Sequence, residues 1–205
     1  MKKLFVPILK RIQEINFRPA SEWVIIKSGP AEVSRPMKQF ILPVTITIAI
    51  ATFLGYILEL DYVSHSRMFI VIIATIKVLS AFCTSFFTFY ITALLVQELC
   101  PKMDISIDNN KLFKLLAYSF SAFWTMLFLA GLLANYKSLG SFFIFLGLYG
   151  IIPFWAGCDI MLELPRDKKN KLLAVCLFIA IVVYLLIGWS FGFALRAAHL
   201  AGMMN

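Results

Sequence analysis

Polar side chains recur at helical spacing inside three long apolar stretches of this sequence, and they are the residues best placed to do chemistry. At about 100° per residue, Lys77, Thr84 and Thr88 fall on one face of a helix. Such faces can line a hydrated path or a small-solute site, or they can hydrogen-bond neighbouring helices to one another. The second arrangement is the commoner one in helical bundles. The candidate polar site comprises Lys77, Glu59, Thr52, Thr84, Thr88, Tyr118 and Ser121.

Lys77 is the most unusual member of this set because a charged residue interrupts an otherwise apolar run. It lies nine residues after Met68, roughly 13 Å along a helix. A lysine at mid-membrane costs at least about 2.5–3.5 kcal/mol on insertion scales, so we expect it to face the bundle or to reach water. Glu59 and Asp61 are plausible partners, and the alternative is that the long side chain extends to the membrane interface.

Three acidic residues, Glu98, Asp159 and Glu163, fall near one end of the predicted helices. This acidic cluster could attract a cation, or it could form ion pairs with Arg166 and Lys168. Ion pairs at a membrane boundary are commoner than metal sites, so we predict pairing and no metal.

Recognisable catalytic motifs are missing from the sequence. There is no H-E-x-x-H, no G-x-S-x-G and no glycine-rich phosphate loop, and His65 and His199 have no partners nearby. The four cysteines show no paired spacing and are expected to be small packing residues. We therefore expect neither an enzyme nor a bound cofactor.

Five long apolar runs must position these residues, and 61% of the chain is hydrophobic. Each run is long enough to cross a hydrocarbon core of about 30 Å as a helix. The sequence thus predicts an all-α, polytopic membrane protein, a five-transmembrane-helix bundle with N-terminal amphipathic interfacial helices and a short external tail at 196–205. The predicted spans are about 39–58, 68–96, 113–134, 139–162 and 172–195.

Lysine and arginine are distributed unevenly between the connections. The N-terminal segment carries eight, the second-to-third connection three and the fourth-to-fifth connection four, which makes fifteen, against three on the other side. The positive-inside rule then predicts a cytoplasmic N-terminus and an external C-terminus. The net charge of +8 is explained by anionic lipid headgroups rather than by nucleic acid.

Residues 1–38 have the pattern of helices that lie at the membrane surface. Leu4, Ile8, Ile12 and Ile15 fall at helical spacing, Pro7 weakens the first turn, and Trp23 suits headgroup depth. The alternative is a flexible segment attracted to the membrane by charge alone. The membrane-surface basic segment comprises Lys2, Lys3, Lys10, Arg11 and Arg18.

Glycines in the fourth and fifth runs predict close helix contacts, either within the bundle or between protomers. The fourth run has a seam of Gly140, Gly147, Gly150 and Gly157, and the fifth has Gly188 and Gly192 at small-xxx-small spacing.

Several stretches resemble the bacterial branch of the Yip family (Ypt/Rab-interacting-protein-like membrane proteins). They are ASEWVIIKSGPAEV, QFILPVTITIAIATFLGYI, KLFKLLAYSFSAFW and LGSFFIFLGLYGIIPFWAGCDIMLELPRDKK, which together extend over roughly residues 19–195. The resemblance implies five spans, a cytoplasmic N-terminus, an external C-terminus and a non-catalytic role. It also implies a location in the bacterial cytoplasmic (inner) membrane. Eukaryotic members bind Rab-type GTPases and associate with one another.

These observations favour a scaffold or adaptor that organises membrane or partner proteins. Its expected partners are the lipid bilayer, anionic headgroups, and a second copy or another membrane protein. The alternative is a small ion or solute channel or transporter that uses the polar faces of the first three spans.

Overall fold

The computed structural model describes residues 2–29, 36–59, 67–133 and 137–203. Within these ranges the regular structure is helical, and five segments are long and apolar enough to cross a membrane. The predicted fold class, an all-α bundle of five spans, is therefore confirmed, and the chain is a multi-pass membrane protein.

The helices follow one another through short connections. The first span, α3, opens with a π-helical turn (Met37–Ile41), and the fourth span consists of α6, a 3₁₀ turn (Gly147–Gly150), α7 and a π-helical turn (Cys158–Leu162). The second, third and fifth spans are α4, α5 and α8. The bounds are α1 Lys2–Phe17, α2 Pro19–Ser28, α3 Leu42–Glu59, α4 Arg67–Leu99, α5 Asn109–Leu132, α6 Lys137–Leu146, α7 Ile151–Gly157 and α8 Arg166–Met203.

The predicted bounds differ from the structure mainly where charged residues extend a helix beyond its apolar part. The fourth candidate span, Leu139–Leu162, agrees with the prediction. The helix of the fifth span, α8, begins at Arg166, six residues before the predicted start, and continues to Met203. The expected tail after residue 195 is thus largely a helical extension. Similarly, α1 starts at Lys2 and runs through Pro7, although a proline at the sixth helical position removes one backbone hydrogen bond.

One end of the bundle holds the end of α4, the start of α5, the end of the fourth span and the start of α8, and we call it the basic end. Here the Asp108 carboxylate accepts a hydrogen bond from the Asn110 N–H at 2.8 Å and caps α5. Glu163 has a left-handed backbone with φ 52°, which ends the fourth span just before Pro165.

The third span, α5, lies at the centre of the fold. It packs against α3, α4 and the fourth span, while α8 pairs mainly with α4. Trp124 of α5 is fully buried, and its indole N–H donates to the Ser85 carbonyl of α4 at 3.2 Å. The N-terminal helices complete this arrangement, since α1 packs on α5 and α2 packs on α7.

Glycines bring α3 and α5 into backbone contact at the end opposite the basic end. A Cβ added at Gly55 would overlap the carbonyl oxygen of Gly131, and one added at Gly131 would lie 2.7 Å from Thr52 Oγ1. By contrast, Gly188 and Gly192 have nothing within 4 Å of such a Cβ. The small-xxx-small pattern of the fifth span makes no close contact within the described chain.

We predict that Gly55→Ala destabilises the bundle by about 1–3 kcal/mol, because its methyl group must push two helix backbones apart. Gly188→Ala is the matched control and should stay neutral or gain up to about 1 kcal/mol, since alanine favours helix and the site is open. Unfolding in a mixed-detergent titration measures both. Equal effects of the two substitutions would contradict the predicted close approach of α3 and α5.

Candidate functional site

The N-terminal hairpin, α1 with α2, forms the candidate site at the basic end. An ion pair between Arg11 of α1 and Glu22 of α2 joins its two helices. The Glu22 side chain is only 8% exposed, so this pair is largely removed from solvent. A charge pair that has lost its water must keep both partners, because one partner left alone would be strongly destabilising.

Trp23 anchors the hairpin in the bundle. Its side chain is fully buried, and its indole N–H donates to the Pro153 carbonyl of α7 at 2.8 Å. The absence of a side chain at Gly157 makes room for it, since a Cβ there would lie 2.6 Å from the indole ring. Tyr118 of α5 meets the indole edge to face at 6.3 Å between ring centroids. Protein therefore surrounds the indole of Trp23, the residue that the sequence predicted at headgroup depth.

Asn16, near the hairpin tip, forms a second contact between the hairpin and the bundle. Its carbonyl accepts a hydrogen bond from the Tyr149 hydroxyl at 2.8 Å, and its side-chain oxygen accepts one from the Ser121 hydroxyl at 3.5 Å. Ser121 lies six residues beyond Leu115, where the uncharged run of α5 begins, or roughly 9 Å along the helix. This depth is typical of interfacial helices, which sit about 5–10 Å into the headgroup and acyl boundary.

The outward surface of the hairpin is both apolar and basic. Lys10 and Arg18 are exposed, whereas Arg11 is half-buried in its ion pair. The side chains of Lys2 and Lys3 lie outside the described residues. Large apolar side chains also project outward, and they are Leu9 (62% exposed), Phe17 (78%), Val24 (58%) and Ile25 (54%).

The acidic cluster forms ion pairs, but with partners other than those expected. Glu163 accepts a hydrogen bond from the Lys27 ammonium at 2.6 Å, which links α2 to the end of the fourth span. Asp159 pairs with Lys169, whose ammonium also lies 4.6 Å from the centre of the Trp155 ring. Lys168 instead donates to the Asp104 carbonyl. Glu98 is exposed, and the described residues contain no group of acids, histidines and cysteines that could hold a metal.

The members of the candidate polar site have separate surroundings. Thr52 donates to the Ile48 carbonyl of its own helix at 3.0 Å, and Ser121 contacts Asn16. Thr88 lines an apolar cavity, whereas Tyr118 lines a different one beside α1. Thr84 is buried and Lys77 half-buried. The Glu59 side chain and the whole of Asp61 lie outside the described residues.

Comparisons with protein families, with curated proteins and with solved structures found no match to this chain. The fold and the site therefore define its class, which is a multi-pass helical membrane protein whose N-terminal hairpin docks on the bundle.

Asn16 and Glu22 are parts of the site that sequence reasoning missed. Both are polar residues of the amphipathic N-terminal segment that are buried, and a buried polar residue needs a hydrogen-bond or ion-pair partner. Glu22 is also an acid beside a tryptophan in a basic segment, which is the signal that could have identified a docked rather than a lipid-facing helix.

The link between Lys27 and Glu163 predicts a pH dependence. The hydrogen bond and charge of the Lys27 ammonium lower the pKa of the Glu163 carboxyl. A lowered pKa in the folded state stabilises the fold above the unfolded pKa, and this contribution is lost as the pH falls through the folded pKa. We expect Glu163→Gln to lower the Tm slightly at neutral pH. The Tm difference from wild type should begin to shrink as the pH falls through the ordinary glutamate pKa of about 4.3, and it should vanish only below the lowered pKa of the folded state.

Thermal unfolding in detergent at a series of pH values measures this difference. Glu98→Gln is the matched control, because Glu98 is an exposed acid at the same end of the bundle. A Tm difference for Glu163→Gln that is the same at every pH would contradict the predicted role of the carboxylate.

Proposed function

We propose that the protein is a non-catalytic scaffold that organises one leaflet of the membrane through its docked N-terminal hairpin. The observation that carries this proposal is the position of α1 and α2, which pack on α5 and α7 from the basic end as far as Ser121 and Tyr149. They add width to the bundle in one leaflet, whereas in the described part of the chain the other leaflet is crossed by the five spans alone. A membrane protein that is wider in one leaflet expands that leaflet and so favours a membrane that is convex on that side.

The charge distribution supports a cytoplasmic location of the hairpin. Fifteen of the lysine and arginine residues in the connections lie on the hairpin side, against three opposite, and such a bias marks the cytoplasmic side. Lys10 and Arg18 on the exposed surface suit anionic headgroups, each contributing about 1 kcal/mol near the surface. The resemblance to bacterial Yip-like proteins supports the same orientation, a place in the bacterial cytoplasmic membrane, and a scaffold that also binds its own copies or other membrane proteins.

A channel or transporter has less support. Such a function needs polar side chains along one common path. Thr88 and Tyr118 line different cavities, and Thr52 hydrogen-bonds within its own helix. These contacts favour the alternative in which the hydroxyls serve helix packing.

Vesicle shape tests the scaffold proposal. We expect wild-type protein, reconstituted at increasing density into liposomes that contain phosphatidylglycerol, to reduce vesicle diameter in electron cryomicroscopy. Trp23→Ala should abolish this effect, because truncation of a buried tryptophan costs about 3–5 kcal/mol and releases the hairpin. Trp189→Ala is the matched control and should behave as wild type, since Trp189 is 64% exposed on α8.

A second variant separates loss of folding from loss of function. Leu9→Gln combined with Phe17→Gln removes exposed apolar surface from the hairpin and leaves the Trp23 contact intact, so it should weaken vesicle shaping while the bundle stays folded. Vesicles of equal diameter for wild type, both hairpin variants and protein-free lipid would overturn the proposal.

A further inference from the structure

A cavity of about 270 Å³ lies on a different side of α5 from the hairpin, between α5, the fourth span and α8. Thr88 of α4 and Ser119 of α5 belong to its lining, which is otherwise almost wholly apolar. The scaffold proposal makes no use of this cavity.

The cavity opens toward the bilayer between the fourth span and α8. Its lining includes strongly exposed apolar side chains from both elements, Phe145 (70% exposed) on one side and Leu185 (60%) on the other. Thr88 and Ser119 are by contrast 1% and 5% exposed, and they form the floor. An occupant that enters through such a mouth must be soluble in lipid.

The two floor hydroxyls have no hydrogen-bond partner within the described part of the chain. Other hydroxyls in the spans donate to a carbonyl one turn earlier in their own helix, as Thr47, Ser85 and Thr125 do. A buried polar group without a partner costs about 1–3 kcal/mol. Thr88 and Ser119 thus present two unused donors to the cavity.

The depth of these hydroxyls limits the kind of ligand that can reach them. Thr88 is eleven residues from the end of α4, and Ser119 is ten residues from the start of α5. The uncharged runs of these two helices end at Gln97 and begin at Leu115, so Thr88 lies roughly 13 Å and Ser119 roughly 6 Å along its helix into the hydrocarbon. Phospholipid ester groups stay at the interface, so an acceptor that reaches Thr88 must belong to a molecule that carries its oxygens into the hydrocarbon.

The cavity walls favour a planar ring. Aromatic side chains of four elements line it, namely Phe120 and Phe123 of α5, Phe145 of α6, Phe154 of α7 and Tyr184 of α8. Aromatic rings pack well against another flat ring in offset or edge-to-face geometry. We propose that this cavity binds a neutral isoprenoid quinone, whose two ring oxygens accept hydrogen bonds from Thr88 and Ser119 and whose tail leaves between the fourth span and α8.

Titration with decylubiquinone tests the site in the full-length, detergent-solubilised protein. Trp124 reports binding through fluorescence quenching, because it lies 5.9 Å from Phe120 of the cavity wall, centroid to centroid. We expect saturable quenching. Thr88→Val and Ser119→Ala should each weaken affinity about fivefold, the value of one ordinary hydrogen bond, and roughly 25-fold together.

Thr92→Val is the matched control, because Thr92 is likewise buried with an unpartnered hydroxyl but does not line the cavity. It should leave the affinity unchanged. The Thr88→Val and Ser119→Ala variant should remain as thermally stable as wild type, since it replaces unpartnered hydroxyls with apolar groups. Ala180→Phe fills the cavity and should abolish quenching.

Three results would overturn the proposal. One is quenching that does not saturate, and another is an affinity that is unchanged in both the hydroxyl variant and Ala180→Phe. The third is native mass spectrometry that finds phospholipid retained in wild type, lost in Ala180→Phe, and not displaced by decylubiquinone. That outcome would assign the cavity to a phospholipid acyl chain instead.

Discussion

The burial of Trp23 against Gly157 is the constraint on which the rest of the basic end depends. A tryptophan that is fully buried needs a space of its own size and an acceptor for its indole N–H. Gly157 provides the space and the Pro153 carbonyl accepts the hydrogen bond. Because both belong to the fourth span, the position of α2, and with it that of the whole hairpin, is set by the helix that it packs on.

The polar contacts around Trp23 add specificity more than stability. The pair of Arg11 with Glu22 is largely removed from water, so its attraction is offset by the loss of hydration. It still excludes other arrangements of α1 and α2, since either charge alone would be costly. The pair of Lys27 with Glu163 is exposed and contributes little energy. Together they orient a hairpin whose stability comes from the buried indole.

The spans were predictable from the sequence because a hydrocarbon core imposes a length and a composition on every helix that crosses it. The amphipathic N-terminal helices were predictable for a similar reason, since Ile8 and Ile15 repeat at helical spacing and both are buried. Docking was harder to predict, because a tryptophan at headgroup depth has nearly the same local pattern whether lipid or protein surrounds it. The acid Glu22 beside it is the one local sign of docking, and the glycine that faces Trp23 in space decides between the two cases.

Ion pairs and glycine contacts were harder to predict for the same physical reason. Asp159 has several lysines and arginines within reach in the sequence, and the rotation of α8 decides that Lys169 is its partner. The pair of Gly55 with Gly131 brings two backbones together. Gly188 and Gly192 have the regular small-xxx-small spacing, yet they have no close neighbour in the described part of the chain. A glycine motif identifies a helix that another helix can approach closely. The position of the neighbouring helix decides whether such a contact forms.

Quenching of Trp23 fluorescence by brominated phospholipids in proteoliposomes tests the central claim of a docked hairpin most directly. The difference in emission between wild type and Trp23→Phe isolates the signal of this one residue. If the hairpin is docked, lipids brominated at any acyl position should leave that signal nearly unquenched, and aqueous acrylamide should also have little effect. Strong quenching by lipids brominated near the headgroup would contradict it, because Trp23 would then lie in the membrane interface and not between α2, α5 and α7.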